Sequence, residues 1–230
     1  MSAVLEAGEL RFSFDSRREV LHGITFSVEE GECVGIVGAN GSGKSTLLWC
    51  VLGLLKAEGT VRLFGEPMAR KSLRRVGVVF QNPEDQLFMP KLVEDVALPL
   101  VNRGMPHAEA TAKALESLKL AGLGGAAGRP ASQLSLGERK RAAIAGALVT
   151  SPELLILDEP TAELDGRSVR QLTALLSNLP VARLIASHHL EFLEDLRARL
   201  LVLEGGRIIA AGPASEIIAD AALMEQAGVI

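Results

Sequence analysis

The residues best equipped for chemistry begin with one run, Gly38-Ala39-Asn40-Gly41-Ser42-Gly43-Lys44-Ser45, which fits the pattern G-x-x-x-x-G-K-[ST]. Gly38, Gly41 and Gly43 let the main chain wrap closely around a polyphosphate with its N–H groups turned inward, and Asn40 lies in the same wrap. A helix starting at Lys44 adds the positive end of its dipole. Lys44 supplies a point charge for the β- and γ-phosphates, Ser45 a hydroxyl for Mg2+, and Thr46 a further phosphate contact. The competing reading is a chance glycine turn. A random chain of this length matches the pattern on the order of one time in a hundred, and the apolar run Cys33 to Val37 just upstream lowers those odds further. The run points to nucleotide binding. It does not distinguish among the ATPases, kinases, GTPases and helicases that share it.

A second constellation is Leu154 to Leu157 followed by Asp158 and Glu159. An apolar strand that ends in two carboxylates places them at the edge where open α/β sheets bind ligands. Asp158 would hold Mg2+ through its water shell, and Glu159 could polarise an attacking water as a general base. A solvated acidic turn, Asp158-Glu159-Pro160, is the bland alternative, and the phosphate loop upstream weighs against it.

Positioning these groups requires an α/β scaffold. Val4 to Phe14 and Ile24 to Val28 alternate apolar and polar residues, the pattern of an N-terminal antiparallel β region. Cys33 to Val37 is a continuous apolar run that reads as a buried parallel strand, and Lys44 to Leu55 as the helix after the loop. From Pro83 to about Leu148 the texture is helical, with an expected apolar stripe through Ala112, Leu115 and Leu118. Strand-like Leu184 to Ala186 and Leu200 to Leu203 then alternate with helical segments. The expectation is one domain over 1–230: a phosphate-loop NTPase core of mostly parallel sheet flanked by helices, carrying an inserted helical lobe over 82–150. The 230 residues suffice for one sizeable core. The net charge of -4 argues against a nucleic-acid partner. Cys33 and Cys50 lack metal or redox spacing and read as core residues in a reducing compartment. No apolar run approaches the roughly 18 residues needed to span a bilayer, and the N-terminus shows no signal-peptide pattern.

Leu134-Ser135-Leu136-Gly137-Glu138, followed by Arg139-Lys140-Arg141, resembles the signature sequence of the ABC transporter ATPases, and the likeness covers nearly the whole chain. Ser135 with Glu138 three residues on also reads as a capping box, so a plain helix cap and a phosphate receptor both fit. The family form is LSGGQ; here Leu136 replaces a glycine and Glu138 the glutamine, while Ser135 and Gly137 are kept. The resemblance implies that Ser135, Gly137 and Glu138 face the nucleotide held by a second subunit, with Asp165 in the D-loop communicating across that dimer. It implies Gln81 as the Q-loop glutamine that reaches Mg2+ or the attacking water, and His188 as the switch histidine at the γ-phosphate; His189 receives no catalytic role. It places Phe14, or Phe12, against adenine in a chain with no tyrosine; a plain core position is the other reading of Phe14. The implied ligands are ATP and Mg2+, the latter through Ser45, Gln81 and Asp158.

Phe80 to Val101 and Leu136 to Gly146 resemble the energy-coupling-factor branch, in particular the cobalt and nickel importer ATPases. In that group the segment after the Q-loop docks a short helix of the membrane subunit, which would give Leu87, Phe88 and Met89 an apolar contact; the alternative is that they cover the lobe's own core. The resemblance implies a cytoplasmic ATPase, peripheral on the inner face of the membrane, with a second ATPase subunit (identical or different) and an integral membrane subunit as partners and no nucleic acid. A biotin-type vitamin importer is the nearest alternative. Soluble ABC ATPases carry long coiled-coil insertions or paired ATPase units, and neither is visible here. A GTPase would show Asn-Lys-x-Asp, which is missing.

Overall fold

The computed structural model describes residues 2–15 and 18–229. The chain forms two compact units, one from Met1–Arg74 with Pro180–Ile230, the other from Arg75–Leu179.

The first unit opens with antiparallel strands β1 (Ala3–Asp15) and β2 (Arg18–Glu29). Their alternation is broken where the register shifts between Ala7 and Leu10. There Glu9 takes a left-handed φ of 49° and its N–H turns to the Thr25 hydroxyl at 3.0 Å. This bulge lets both Ala7 and Leu10 face the core although they are three positions apart. Strand β3 (Cys33–Val37) is buried throughout and feeds helix α1 (Lys44–Val51) through the glycine-rich loop. The helix stops earlier than its apolar content predicts, because Gly53 at φ 67° turns the chain away. Strands β4 (Glu58–Leu63) and β5 (Glu66–Pro67) complete a sheet in the order β2-β1-β4-β5. Burial pushes the Cys33 and Cys50 thiols up to about 11, as befits inert core residues.

The second unit pairs parallel strands β6 (Val76–Val79) and β7 (Leu154–Asp158). The Arg75 guanidinium grips the Glu153 carboxylate where the two strands begin. Helices α2 (Leu92–Val101), α3 (His107–Leu120) and α4 (Leu136–Leu148) share a core of Leu92, Val96, Leu100, Ala114, Leu118 and Ala142. The face of α3 differs from the expected stripe: Ala112 and Leu115 point outward, and Ala110, Ala114, Ser117 and Leu118 are buried. Small residues win that face because they let α3 approach α4 closely, where the Ser117 hydroxyl donates to the Ala145 carbonyl at 2.8 Å. Helix α5 (Gly166–Ser177) closes the unit.

Back in the first unit, β8 (Ala182–Ala186) and β9 (Arg199–Glu204) flank β3 in parallel, with the short helix α6 (Leu190–Asp195) between them. Strand β10 (Arg207–Pro213) pairs antiparallel with β9, and α7 (Ala214–Ala219) and α8 (Ala221–Gln226) follow. Among the described residues no helix is long and apolar enough to cross a membrane.

The β9–β10 turn braces the phosphate loop. Gly206, at φ 74°, donates its N–H to the Ser42 carbonyl at 3.2 Å and accepts from the His22 N–H at 2.9 Å. A Cβ on Gly206 would lie 2.0 Å from the Val20 carbonyl oxygen, which no rotamer can relieve. Gly206→Ala is therefore expected to cost more than about 2 kcal/mol, read as a lowered denaturation midpoint, with weaker ATP binding as the loop loses its support.

Candidate functional site

The phosphate loop is shaped by positions only glycine can fill. At φ 155°, a Cβ on Gly38 would meet the Leu203 carbonyl oxygen at 2.1 Å, and one on Gly43, at φ 106°, would press on Leu21. Asn40 and Gly41 lie at the surface; Ser45 and Thr46 are half-buried at the start of α1. The Lys44 ammonium crosses the inside of the loop, donating to the carbonyls of Gly38 at 2.8 Å and Ala39 at 3.1 Å. The buried Ser42 hydroxyl has no hydrogen-bond partner among the described residues. An orphan hydroxyl, a lysine and a glycine-lined cradle at a helix N-terminus together suit a polyphosphate. The Ala39 N–H is held by the Ala227 carbonyl at 3.1 Å, just beyond α8. That support joins the two ends of the unit's sequence, and no local pattern announces it.

His188 follows β8, and the Ser187 N–H donates to the Ile36 carbonyl at 3.1 Å, so His188 and the phosphate loop leave the same edge of adjacent parallel strands. His188 is exposed. His189 instead caps α6, its Nδ1 accepting from the Phe192 N–H at 3.3 Å. The ring of Phe14 is 64% exposed and meets the half-buried Phe12 edge to face at 4.9 Å. Phe14 is thus no core residue.

In the second unit, Asp158 ends β7 and Glu159 follows at φ 45°, an uncommon conformation for a residue with a side chain. Both are buried, 5% and 7% exposed. Asp165 caps α5, accepting from the Ser168 N–H at 2.7 Å, and that bond holds its carboxyl below the usual range. Ser135 and Glu138 form the reciprocal capping box that starts α4, with Oγ accepting from the Glu138 N–H at 3.3 Å and the Glu138 carboxylate from the Ser135 N–H at 2.8 Å. The latter bond holds the Glu138 carboxyl below the usual range. Leu136 is the first residue of α4 and tolerates its side chain there; Gly137 does not have that freedom, since a Cβ would lie 2.5 Å from the Ser168 hydroxyl.

Gln81 is exposed after β6. Gln86, not singled out by the sequence, ties down β6 by accepting from the Phe80 N–H and donating to the Val78 carbonyl, both at 2.9 Å. Leu87 joins the helical core, as one of the two readings expects, whereas Phe88 is 66% exposed and Met89 half-buried. A cavity of about 240 Å³ lies beside them, lined by Gln86, Leu87, Asp95, Arg103, Ala143 and Thr150 among others. Asp95 Oδ1 accepts from the Phe88 and Met89 N–H groups, both at 2.9 Å, while its buried Oδ2 has no partner among the described residues. Burial raises its carboxyl above the usual range. Arg139 connects this segment to α4, reaching Glu84 at 3.9 Å and the Leu134 carbonyl at 3.1 Å.

A glycine-cradled loop between a buried parallel strand and a helix, beneath an antiparallel N-terminal sheet, defines a phosphate-loop ATPase of the ATP-binding-cassette kind. The chain belongs to the ABC transporter family, whose model matches residues 21–162. It is 40% identical over 234 residues to the energy-coupling factor transporter ATP-binding protein EcfA of Methanothermobacter thermautotrophicus, across 97% of this chain and 75% of that one. CbiO1 from Clostridium perfringens, part of the ABC transporter complex CbiONQ, superimposes with a TM-score of 0.87 at 33% identity, over 98% of this chain and 94% of that one. A dimeric ATP-binding cassette in a post-hydrolysis state, bound to ADP and Pi, superimposes with a TM-score of 0.80 at 27% identity, over 91% of this chain and 98% of that one. The chain is the ATP-binding, ATP-hydrolysing part of an ABC transporter.

Proposed function

We propose that this ATPase powers energy-coupling-factor-type uptake of a transition metal ion, cobalt or nickel, from the inner face of the membrane. The likeness to CbiO1 over nearly the full length of both chains carries this reading. Two copies, or this chain with a related one, close around two ATP molecules. Gly38, Asn40, Gly41, Gly43, Lys44, Ser45 and Thr46 hold the phosphates, Phe14 stacks on adenine, and Ser135, Gly137, Glu138 and Asp165 of the opposite subunit complete each site. Glu159 takes the proton of the attacking water, Gln81 orients that water, and His188 donates to the γ-phosphate. Ser45, Gln81 and Asp158 offer a hydroxyl, an amide oxygen and a carboxylate, an all-oxygen set that suits Mg2+. When bound, this ion would neutralise charge on the β- and γ-phosphates. The lobe over 82–150 would carry closure to the membrane subunit.

Exposed Phe88 and an Asp95 Oδ2 with no partner among the described residues, beside an open cavity, support a docking place for a helix of that subunit. Phe88→Asp is expected to release the chain from the membrane fraction while leaving its own ATP turnover within about twofold, since Phe88 is largely exposed. Uptake of labelled Co2+, Ni2+ and biotin in cells with and without the chain tests the cargo. Loss of metal uptake alone supports the proposal, and loss of biotin uptake alone replaces it with a vitamin importer.

A further inference from the structure

We infer that Lys140 is a positioning residue that fixes the main chain of Glu159 and so links the signature helix to the hydrolytic machinery of its own chain. This rests on the reading of Glu159 as general base and Ser135 as the receptor for the opposite subunit's ATP. Lys140 sits in the second turn of α4, only 4% exposed. Its ammonium donates to the Glu159 carbonyl at 2.9 Å. Burying a lysine is costly unless it is paired, and an apolar residue of like volume would pack as well or better. Compensation comes from Glu163, Glu159 and Asp158, whose negative charges favour the ammonium that burial disfavours. The lysine is therefore placed where it balances two buried carboxylates and holds one peptide.

That peptide needs holding. Glu159 has a left-handed φ of 45°, which ordinarily costs a residue with a Cβ, and its carbonyl also accepts from the Ala162 N–H at 3.2 Å. Rotation of this peptide would swing the Glu159 side chain away from any attacking water. The same helix is fastened to the following segment at two further points. Gly137 lies so close to Ser168 that a Cβ would fall 2.5 Å from its hydroxyl, and the Arg141 guanidinium donates to Gln171 at 2.7 Å. Ser135, Lys140 and Glu159 thus belong to one stiff piece. A triphosphate drawn against Ser135 acts on α4 as a whole, and Lys140 passes the displacement to the base of the other site in the dimer.

The test compares Lys140→Met, which keeps most of the length but loses the donor, with Lys140→Gln, which keeps a donor without the charge. Lys140→Met is expected to lower kcat by about ten- to a hundredfold, the effect of a misplaced catalytic group, with KM for ATP within about twofold and ATP-driven dimerisation intact. Lys140→Gln is expected to recover part of that loss. In single-turnover measurements Lys140→Met should add nothing to Glu159→Gln, because the base it positions is already gone. Wild-type turnover in Lys140→Met, a full additional loss in the double variant, or an equal rise in KM would each overturn the inference. If Glu159→Gln alone hydrolyses ATP at the wild-type rate, the assignment of the base fails first, and the single variant shows it without reference to Lys140.

Discussion

Glu159→Gln is expected to lower steady-state phosphate release by about 10²–10³-fold, the contribution a positioned general base makes, while leaving ATP affinity nearly unchanged. The amide keeps the size and one oxygen of the side chain, so the strained turn at φ 45° and the bond from Lys140 to the Glu159 carbonyl persist. What is lost is the basicity, together with one of the negative charges beside Lys140. With hydrolysis blocked and binding intact, ATP and Mg2+ should convert the protein to a stable dimer, visible as an earlier-eluting species that ADP does not produce. Release of phosphate within about twofold of the wild type would show that another group takes the proton. The same variant with normal chemistry but no dimer would separate the base from the sandwich arrangement and leave the latter in doubt.

The parts of the site that were legible in the sequence are those whose conformation demands particular residue types. Gly38 cannot carry a Cβ against the Leu203 carbonyl, and Lys44 folds back on the loop it follows, so the run of residues reports its own geometry. The capping box of Ser135 and Glu138 is similarly local, with both bonds closed within one turn. What the sequence hid depends on partners far along the chain. Ser117 is buried on α3 while Leu115 is exposed, because a hydroxyl can reach Ala145 where a leucine would hold the helices apart. Periodicity alone ranks the leucine first, and ranks it wrongly. Lys140 reads as the middle of a basic run, Arg139-Lys140-Arg141, whose natural expectation is a solvated surface. Its burial follows from the buried acids of β7 and the residue after it, nineteen positions away from it at Glu159. The bulge at Glu9 likewise arises from pairing with β2, where Thr25 takes the displaced N–H.

Substitutions at Ser135 can separate the two roles that its position combines. As an N-cap, its Oγ accepts from the Glu138 N–H, and loss of such a cap costs about 0.5–2 kcal/mol. As a phosphate receptor, the same hydroxyl would give its proton to the γ-phosphate of the opposite subunit; a hydroxyl can accept and donate at once. Ser135→Arg removes both roles and adds bulk at the helix tip. It is expected to abolish ATP-driven dimerisation, while the monomer's ATP affinity stays within about twofold because the phosphate loop is untouched. Ser135→Asp is the sharper probe. Aspartate caps helices as well as serine and suits the positive end of the α4 dipole, so the denaturation midpoint should hold or rise. Toward a triphosphate it presents a like charge, whose juxtaposition at an interface costs several kcal/mol, or at least about a hundredfold in dimer affinity. Calorimetry and size-exclusion chromatography with ATP and Mg2+ give the two readouts on one sample. A stable Ser135→Asp protein that still dimerises with ATP would reduce Ser135 to a structural cap. A stable protein that stays monomeric, yet binds ATP as before, would place the hydroxyl at the phosphate of the opposite site.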